Sequence, residues 1–421
     1  MTILIKNARI IDPRSSFNNT VQDIFIEKGV ITQVGQGLAV NGEKVIEGRS
    51  LSVSQGWVDI FSNFCDPGYE FKETLDSGAR AAAAGGFTDV FLVPNTKPVI
   101  DNKSQVEYIR RSSAALEANI HPLGAVSRNT EGKDLAEMYD MRNSGAAAFS
   151  DGINPVQSSG ILLKALQYIK AFNGVIIQIP DDKTVGTNGL MHEGIVSTQL
   201  GLAGKPIMAE ELLVARDIKL VRYTESAIHF TGVTSPRSLE YIRRAKDAGL
   251  NVTCSVAPYH LYFTDEDLRG YDTNLKVYPP LRGAGEQAAL KAAIKDGTID
   301  CIATHHMPED YDNKVLEFEY AKNGMIGLET CYASLRSAMP EITDEKWVEL
   351  LCINPRKIFG LPEFTLAKDA PAVLTIFSPE TETTVNEGFF YSKSRNSAYL
   401  GKQLKGGVIG TIRGENVFIR K

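Results

Sequence analysis

Short apolar runs alternate with longer amphipathic segments through the middle of this chain, and this alternation constrains the fold more than any other feature. The segments between the runs, such as ILLKALQYIKAF and SLEYIRRAKDAG, carry apolar residues at helical spacing. The runs, each short enough to be one buried strand, are VDIFSNF, DVFLVPN, HPLGAVS, AAAFSD, VIIQIP, AIHFTGV, VTCSVAP and CIATHH. Eight strand-helix units predict an α/β fold, a closed (β/α)8 barrel of the TIM type.

The two ends of the chain have a different pattern. Near the N-terminus, alternating segments such as ILIKNARI and DIFIEKGVITQV are separated by Pro, Asn and Gly turns, which predicts antiparallel strands. The segments AVLTIFS, GVIGTIR and ENVFIRK repeat this pattern near the C-terminus. We therefore predict one small composite β domain, built from residues 1–55 and 361–421, beside a barrel of residues 56–360.

Composition and charge exclude several classes of protein. A chain of 421 residues with 43% hydrophobic residues can bury a large core. The formal charge of −6 is spread without Lys/Arg runs, which argues against nucleic acid or an anionic membrane as a partner. The start MTILIKNARI does not read as a signal peptide, and no apolar run approaches the ~18 residues of a spanning helix. The expected location is the cytoplasm.

The cysteines give no sign of a disulfide framework or of a cysteine-based metal motif. They are odd in number and scattered, and no pair has CxxC spacing. We expect reduced and mostly buried thiols at Cys65, Cys254, Cys301, Cys331 and Cys352.

Several motifs resemble those of one enzyme family. The stretch VDIFSNFCDPG at residues 58–68 resembles the first-strand signature D-I-H-x-H-x-R-D-P-G of the dihydroorotases. Other similar runs follow in the family's order, and together they favour the dihydroorotases over the related hydantoinases: VPNTKPVIDN, FSDGINPV, GLAGKP, VARDIKL, KVYPPLR, CIATHHMP and GLET. The resemblance implies an amidohydrolase-superfamily barrel that uses zinc for reversible cyclic-amide hydrolysis, interconverting dihydroorotate and N-carbamoyl-aspartate in pyrimidine biosynthesis.

The family's metal ligands are the residues that this chain lacks. The two histidines of the first-strand motif correspond to Phe61 and Asn63, and those after the fifth and sixth strands to Gln178 and Gly232. The eighth-strand aspartate, which also shuttles protons in the family, corresponds to His305. Phenylalanine has no lone pair for a cation, and an amide oxygen replaces imidazole poorly. The resemblance therefore predicts no metal at these positions and no confident catalytic residue.

Two residues of this degenerate site, Asp151 and His305, have more than one interpretation. Asp151 stands where some bacterial relatives use a bridging aspartate, but before Gly152 it is also a good turn residue. On a strand, adjacent His305 and His306 would point to opposite faces, with His305 hydrogen-bonded in the mouth and His306 packed against the helices. A weaker alternative is a residual zinc site in which Asp151 and His305 converge with Cys65.

The substrate side is changed as well. The arginine that resembles the family's carboxylate clamp is Cys65, and an asparagine before the double proline is Tyr278. Asn95 keeps its place and can donate to a carboxylate, although it also breaks the chain before the next helix. His260, in APYHLYF, completes a vestigial substrate pocket.

These changes lead to three hypotheses. The first is a non-catalytic dihydroorotase homologue that acts as a partner of aspartate carbamoyltransferase, as inactive homologues do by resemblance, and that forms homo-oligomers. The second is a working dihydroorotase or other cyclic amidohydrolase with an altered site. The third is a scaffold without that partner, similar to the non-enzymatic relatives of dihydropyrimidinase.

Overall fold

The computed structural model describes residues 1–40 and 42–420. The strands formed by these residues are β1 (Thr2–Ile10), β2 (Val21–Glu27), β3 (Val30–Gly35), β4 (Lys44–Ile46), β5 (Ser52–Gln55), β6 (Trp57–Ser62), β7 (Phe87–Leu92), β8 (Asn119–Pro122), β9 (Val175–Gln178), β10 (Met191–His192), β11 (Gly204–Lys205), β12 (Ala227–Phe230), β13 (Val252–Val256), β14 (Cys301–Ile302), β15 (Val373–Thr384), β16 (Gln403–Arg413) and β17 (Asn416–Ile419).

The helices lie mainly between the barrel strands. They are α1 (Leu75–Ala84), α2 (Lys103–Ser112), α3 (Met138–Asn143), α4 (Ser159–Lys170), α5 (Ile195–Leu200), α6 (Met208–Thr224), α7 (Pro236–Asp247), α8 (Pro258–Tyr262), α9 (Ala284–Lys295), α10 (Tyr311–Lys314), α11 (Cys331–Ala338), α12 (Asp344–Val348) and α13 (Asn354–Phe359). The local sequence determines where several helices begin. Thr74 caps α1, and Ser235 caps α7 just before a proline in its first turn.

The predicted barrel is confirmed by the way its strands pair. Strands β6, β7 and β8 form one parallel arc, and β9, β12, β13 and β14 form another. Phe149 joins the arcs by single bridges to Gly124 and Ile176, and a bridge between Ser62 and His306 completes the circle. The fourth apolar run therefore contributes a single bridging residue where a full strand was predicted. Consecutive buried residues along β6 and β7 fit strands covered on both faces.

Strands from both ends of the chain form one sheet, in the order β17-β16-β15-β5-β1-β2-β3, with β4 also on β1. The prediction of antiparallel strands is right for the β1, β2 and β3 pairs and for β5 with β15, but wrong where β4 and β5 pair with β1, because those pairs are parallel. The reason is that, after β3, the chain crosses to the edge of β1 that β2 does not occupy and enters β4 and β5 in the same direction as β1. The exact domain boundaries stay a prediction.

Two further observations bear on the sequence predictions. All five cysteines are buried free thiols, as expected. Among the helices of residues 1–40 and 42–420, none is both long enough and apolar enough to span a membrane.

Candidate site at the barrel mouth

His305 lies at the centre of the barrel mouth, just past the end of β14. It is 1% exposed, and its Nε2 lies 2.8 Å from the Thr231 hydroxyl. The ring of Phe61, from the end of β6, packs on it with 4.7 Å between ring centroids. A Cβ atom on Gly232 would lie only 2.6 Å from His305 Cε1. The imidazole of His305 therefore fills the space that a side chain at position 232 would need.

Gln178, at the end of β9, is held by neighbouring protein groups. Its Oε1 accepts a hydrogen bond from the Val156 backbone N at 3.2 Å, and its Nε2 donates to Asp217 Oδ2 at 3.2 Å. Asp217 is fully buried and is also bound by Arg216 at 2.7 Å. Gln178 thus joins a buried structural network, and both ends of its amide are occupied.

Asn63 and Cys65 are used within their own loop. Asn63 Oδ1 accepts a hydrogen bond from the Cys65 backbone N at 2.8 Å. Cys65 is buried, and this burial raises the pKa of its thiol well above the ordinary value. A thiol kept protonated is a poor metal ligand and a poor nucleophile.

Asp151 and Asn95 are present but tie loops together. Asp151 Oδ1 accepts from the backbone N of Val126 and of Ser127, both at 2.9 Å. The amide of Asn95 donates to the Asp151 carbonyl at 3.1 Å, and its Oδ1 accepts from Ile153 N at 2.9 Å. These contacts of Asp151 are structural, as the turn interpretation proposed. They connect it to the neighbouring loop and not only to its own turn. The Asn95 amide is bound to main chain through these contacts, and its donation to a carboxylate ligand stays a prediction.

These contacts test whether the residues fit the zinc that the family implies. Among the described residues, no three His, Cys, Asp or Glu side chains gather in a way that could hold a metal ion. Cys65, Asp151 and His305 are thus not brought together as the residual site. An aromatic ring, an engaged amide and a glycine do not fit zinc at this mouth.

His306 and His229, two more histidines near the mouth, have structural contacts. His306 does not pack simply against helices: its Nε2 lies 3.5 Å from the buried carboxylate of Glu73, and its Nδ1 accepts from Gly327 N at 3.2 Å. His229 bonds the hydroxyls of Thr253 at 2.8 Å and Ser255 at 3.0 Å, and burial lowers its pKa to about 3. Both imidazoles are fully buried and held in place by these contacts.

A cavity of about 380 Å³ remains open beside His305. Tyr278 lines it and donates from its hydroxyl to Asp181 Oδ2 at 2.7 Å, while Lys205 Nζ lies 2.9 Å from Asp181 Oδ1. His260 does not line this cavity, and its Nε2 donates to the Pro279 carbonyl at 3.0 Å. Tyr278 and His305 therefore face the open space together with Asn63, while Asn95 and Cys65 do not.

Sequence reasoning missed four charged residues of this cavity, Asp181, Lys183, Lys205 and Glu309. A signal for the first two was available, because IPDDK directly follows the fifth predicted strand and strand ends face the mouth. Nothing in the sequence pointed to Lys205, which the short β10–β11 pair brings to the cavity from a distant loop.

Comparison with solved structures defines the class of fold. An L-hydantoinase (dihydropyrimidinase) from Arthrobacter aurescens matches 100% of this chain and 96% of its own, with a TM-score of 0.83 and 23% identity. A D-hydantoinase matches with a TM-score of 0.81 and 20% identity, over 100% of this chain and 95% of its own. At this level of identity the likeness concerns the fold, which is the amidohydrolase barrel with its β domain.

Sequence comparison is more specific. A family model described as dihydro-orotase-like matches residues 51–238. The dihydroorotase of Geobacter metallireducens is 41% identical over 425 residues, covering 100% of both chains. That of Geobacter sulfurreducens is 43% identical over 421 residues, covering 99% of each. The chain therefore belongs to the dihydroorotase family.

Proposed function

We propose that this chain is a dihydroorotase homologue of pyrimidine biosynthesis that has lost turnover and acts as a non-catalytic partner of aspartate carbamoyltransferase. The observation that carries the loss of turnover is the filled metal position. His305 takes the space beside Gly232, and Phe61 packs against it. Restoring one ligand would therefore not reopen the site.

The loss of zinc removes a large part of the free energy that drives catalysis in the family. Bound zinc lowers the pKa of its water from 15.7 to about 7, which is worth about 12 kcal/mol in forming hydroxide. A positioned histidine acting alone as a base contributes only about 10²- to 10⁴-fold. His305 is also poorly suited to that task, because burial lowers its pKa to about 4 and its Nε2 is bound to Thr231.

The rim around the mouth supports the partner role. Four aromatic side chains are exposed on the segments that follow β6 and β14, with Tyr311 76% exposed, and two of them, Phe71 and Tyr311, line one surface pocket. The four aromatic residues of this exposed rim are Tyr69, Phe71, Tyr311 and Tyr320. Exposed aromatic residues grouped on a surface are typical of protein interfaces, and a standard interface needs only about 800 Å² per partner.

Three measurements on the purified full chain test this function. Elemental analysis after purification without chelator is expected to give far less than one zinc per chain. Dihydroorotate should be neither formed nor opened above background at neutral pH, with or without added zinc. Co-expression with the aspartate carbamoyltransferase of the same organism should give a co-eluting complex in which the transferase is more stable or more active.

The exposed rim allows the partner role to be tested in detail. Tyr311→Ser should weaken the complex at least ten-fold, since exposed aromatic residues often carry most of the binding energy. Tyr223→Ser is the matched control, because Tyr223 is 73% exposed at the end of α6, away from the rim. Separate elution of the two wild-type proteins at micromolar concentration would refute the partner role.

A second candidate is an active cyclic amidohydrolase with an altered site, and the open cavity of about 380 Å³ beside His305 favours it. That volume is enough for a small ring substrate. Turnover of dihydroorotate or of another cyclic amide by metal-free protein, abolished by His305→Ala, would establish this candidate and overturn the first.

A further inference from the structure

The connection between β15 and β16 leaves the composite β domain and attaches to the barrel. Three consecutive residues of this connection give four hydrogen bonds to two carboxylates of the barrel. Glu329 accepts from the backbone N of Tyr391 at 2.6 Å and of Ser392 at 3.4 Å. Glu73 accepts from the Ser392 hydroxyl, and from the backbone N of Lys393 at 2.9 Å. Both carboxylates are buried, and a buried carboxylate is costly unless donors such as these satisfy it.

The two carboxylates belong to different segments of the barrel. Glu73 lies in the first segment, residues 63–74 between β6 and α1, and Glu329 lies in the second segment, residues 303–330 between β14 and α11. Ser392 therefore bonds both segments, one through its hydroxyl and the other through its backbone N. These two segments are also the ones that carry the aromatic side chains of the exposed rim.

The next residues of the connection extend this attachment. The Ser394 hydroxyl donates to a main-chain carbonyl of the first segment at 2.8 Å. Asn396 holds the second segment instead: its Nδ2 donates to the Met307 carbonyl at 3.0 Å, and its Oδ1 accepts from Glu309 N at 3.1 Å. The Asn396 carbonyl also accepts from Ile326 N at 3.0 Å. Both attached side chains are buried, so water does not compete easily for these bonds.

The line where the two segments meet is a surface pocket of about 440 Å³. Phe71 lines it from the first segment and Tyr311 from the second, and Ser394 and Asn396 form part of its wall. The two aromatic residues of the rim that face this pocket are therefore carried by separate pieces of chain. Their relative position depends on whatever holds the two segments together.

We propose that residues 391–396 act as a clasp that fixes the two segments relative to each other, with Ser392, Ser394 and Asn396 as positioning residues of the exposed rim. None of the three is an aromatic residue of the rim, and each acts through the segment that it holds. Opening the clasp leaves every aromatic side chain on its own segment but separates the two halves of the rim. The consequence for partner binding rests on the proposed function, whereas the coupling of the segments does not.

Hydrogen exchange of the full chain, read by mass spectrometry, tests the coupling. Asn396→Ala should speed amide exchange about ten-fold in the first segment, to which Asn396 makes no hydrogen bond among the described residues, as well as in the second. Ser394→Ala should likewise speed exchange in the second segment, although its hydroxyl bonds only the first. Asn386→Ala is the matched control, because Asn386 is exposed on the same connection and its side chain caps no helix.

A direct ion pair also joins the segments, since Lys72 Nζ lies 2.7 Å from Glu309 Oε2. The exchange experiment is therefore repeated in a Lys72→Met background, which removes this pair. The effect of Asn396→Ala on the first segment should persist there. Its disappearance would show that the ion pair carries the coupling and would overturn the role of the clasp.

Other results would overturn the proposal as well. One is faster exchange confined, in each variant, to the segment that the changed side chain bonds. Another is an equal rise in α4, which would show a general loss of stability and no specific coupling.

A binding experiment separates this inference from the proposed function. Asn396→Ala should weaken the complex with aspartate carbamoyltransferase about ten-fold, and Asn386→Ala should leave it unchanged. Wild-type affinity in Asn396→Ala would refute its role in positioning the rim. If the wild-type chain itself forms no complex, the proposed function fails, and the exchange experiment still decides whether the clasp couples the segments.

Discussion

Two groups of strand ends on the barrel rim differ in whether they keep the family's residues. At the ends of β6, β9 and β12 the identities have changed, and Phe61, Gln178 and Gly232 now pack, bond to neighbours or make room for His305. After β7 and after the fourth apolar run, Asn95 and Asp151 keep their identities, yet their polar atoms are bound to other groups of the protein. A retained residue is therefore no better evidence of chemistry than a replaced one until its contacts are known.

The largest expected effect concerns the strand ends whose residues have changed. The double variant Phe61→His/Asn63→His should show no detectable dihydroorotate turnover, even with added zinc, because Gln178 and Gly232 still supply no metal ligand. The missing stabilisation is that of a zinc-bound hydroxide, about 12 kcal/mol. The measurement is absorbance-monitored turnover, with the Geobacter sulfurreducens dihydroorotase as positive control. Robust activity in the double variant would show that the rest of the site can still assemble.

A smaller effect tests whether His305 and Gly232 share one space. Gly232→Ala should lower the free energy of unfolding by about 3 kcal/mol, because the new Cβ overlaps the imidazole and φ is +70°. In a His305→Ala background the same change should cost only about 1 kcal/mol, the backbone part. Gly201→Ala is the matched control, since φ is +68° and nothing lies within 4 Å of its added Cβ. Equal costs in both backgrounds would contradict the shared space.

The smallest expected effect concerns the strand ends that keep their residues. Burial raises the pKa of Asp151 from an ordinary 3.8 to about 6, against the opposing hydrogen bonds from Ser127 and Val126. Because this carboxyl group has a higher pKa in the folded state than in the unfolded state, its contribution to the free energy of unfolding is complete below about pH 4. That contribution is lost as the pH rises through 6. Asp151→Asn should therefore remove about 3 kcal/mol of this pH dependence.

Denaturant unfolding at several pH values between 4 and 7 measures this difference. Asp140→Asn, at an exposed aspartate on α3, should keep the wild-type slope. A wild-type slope in Asp151→Asn as well would mean that Asp151 is ionised throughout the range, as a working metal ligand would be.

The sequence predicted the architecture because hydrophobic periodicity is a local property. Eight apolar runs separated by helical segments indicate the barrel whatever the mouth contains. The fourth run was the exception: Phe149 makes single bridges on each side, since strand length depends on the neighbours that the run pairs with. The parallel direction of β4 and β5 was missed for the same reason, because the path between strands is not encoded in their alternation.

For the site, the sequence by itself determined which ligand types are missing, since a phenylalanine or a glycine cannot bind zinc in any fold. Only the tertiary structure decided what replaced them. The overlap of His305 with the space at Gly232, the capture of Gln178 by Asp217, and the bonds of Ser392 to Glu73 and Glu329 join residues far apart in the chain. Such contacts depend on distances across the barrel, and these are fixed by packing of the whole chain and not by any local pattern of residues.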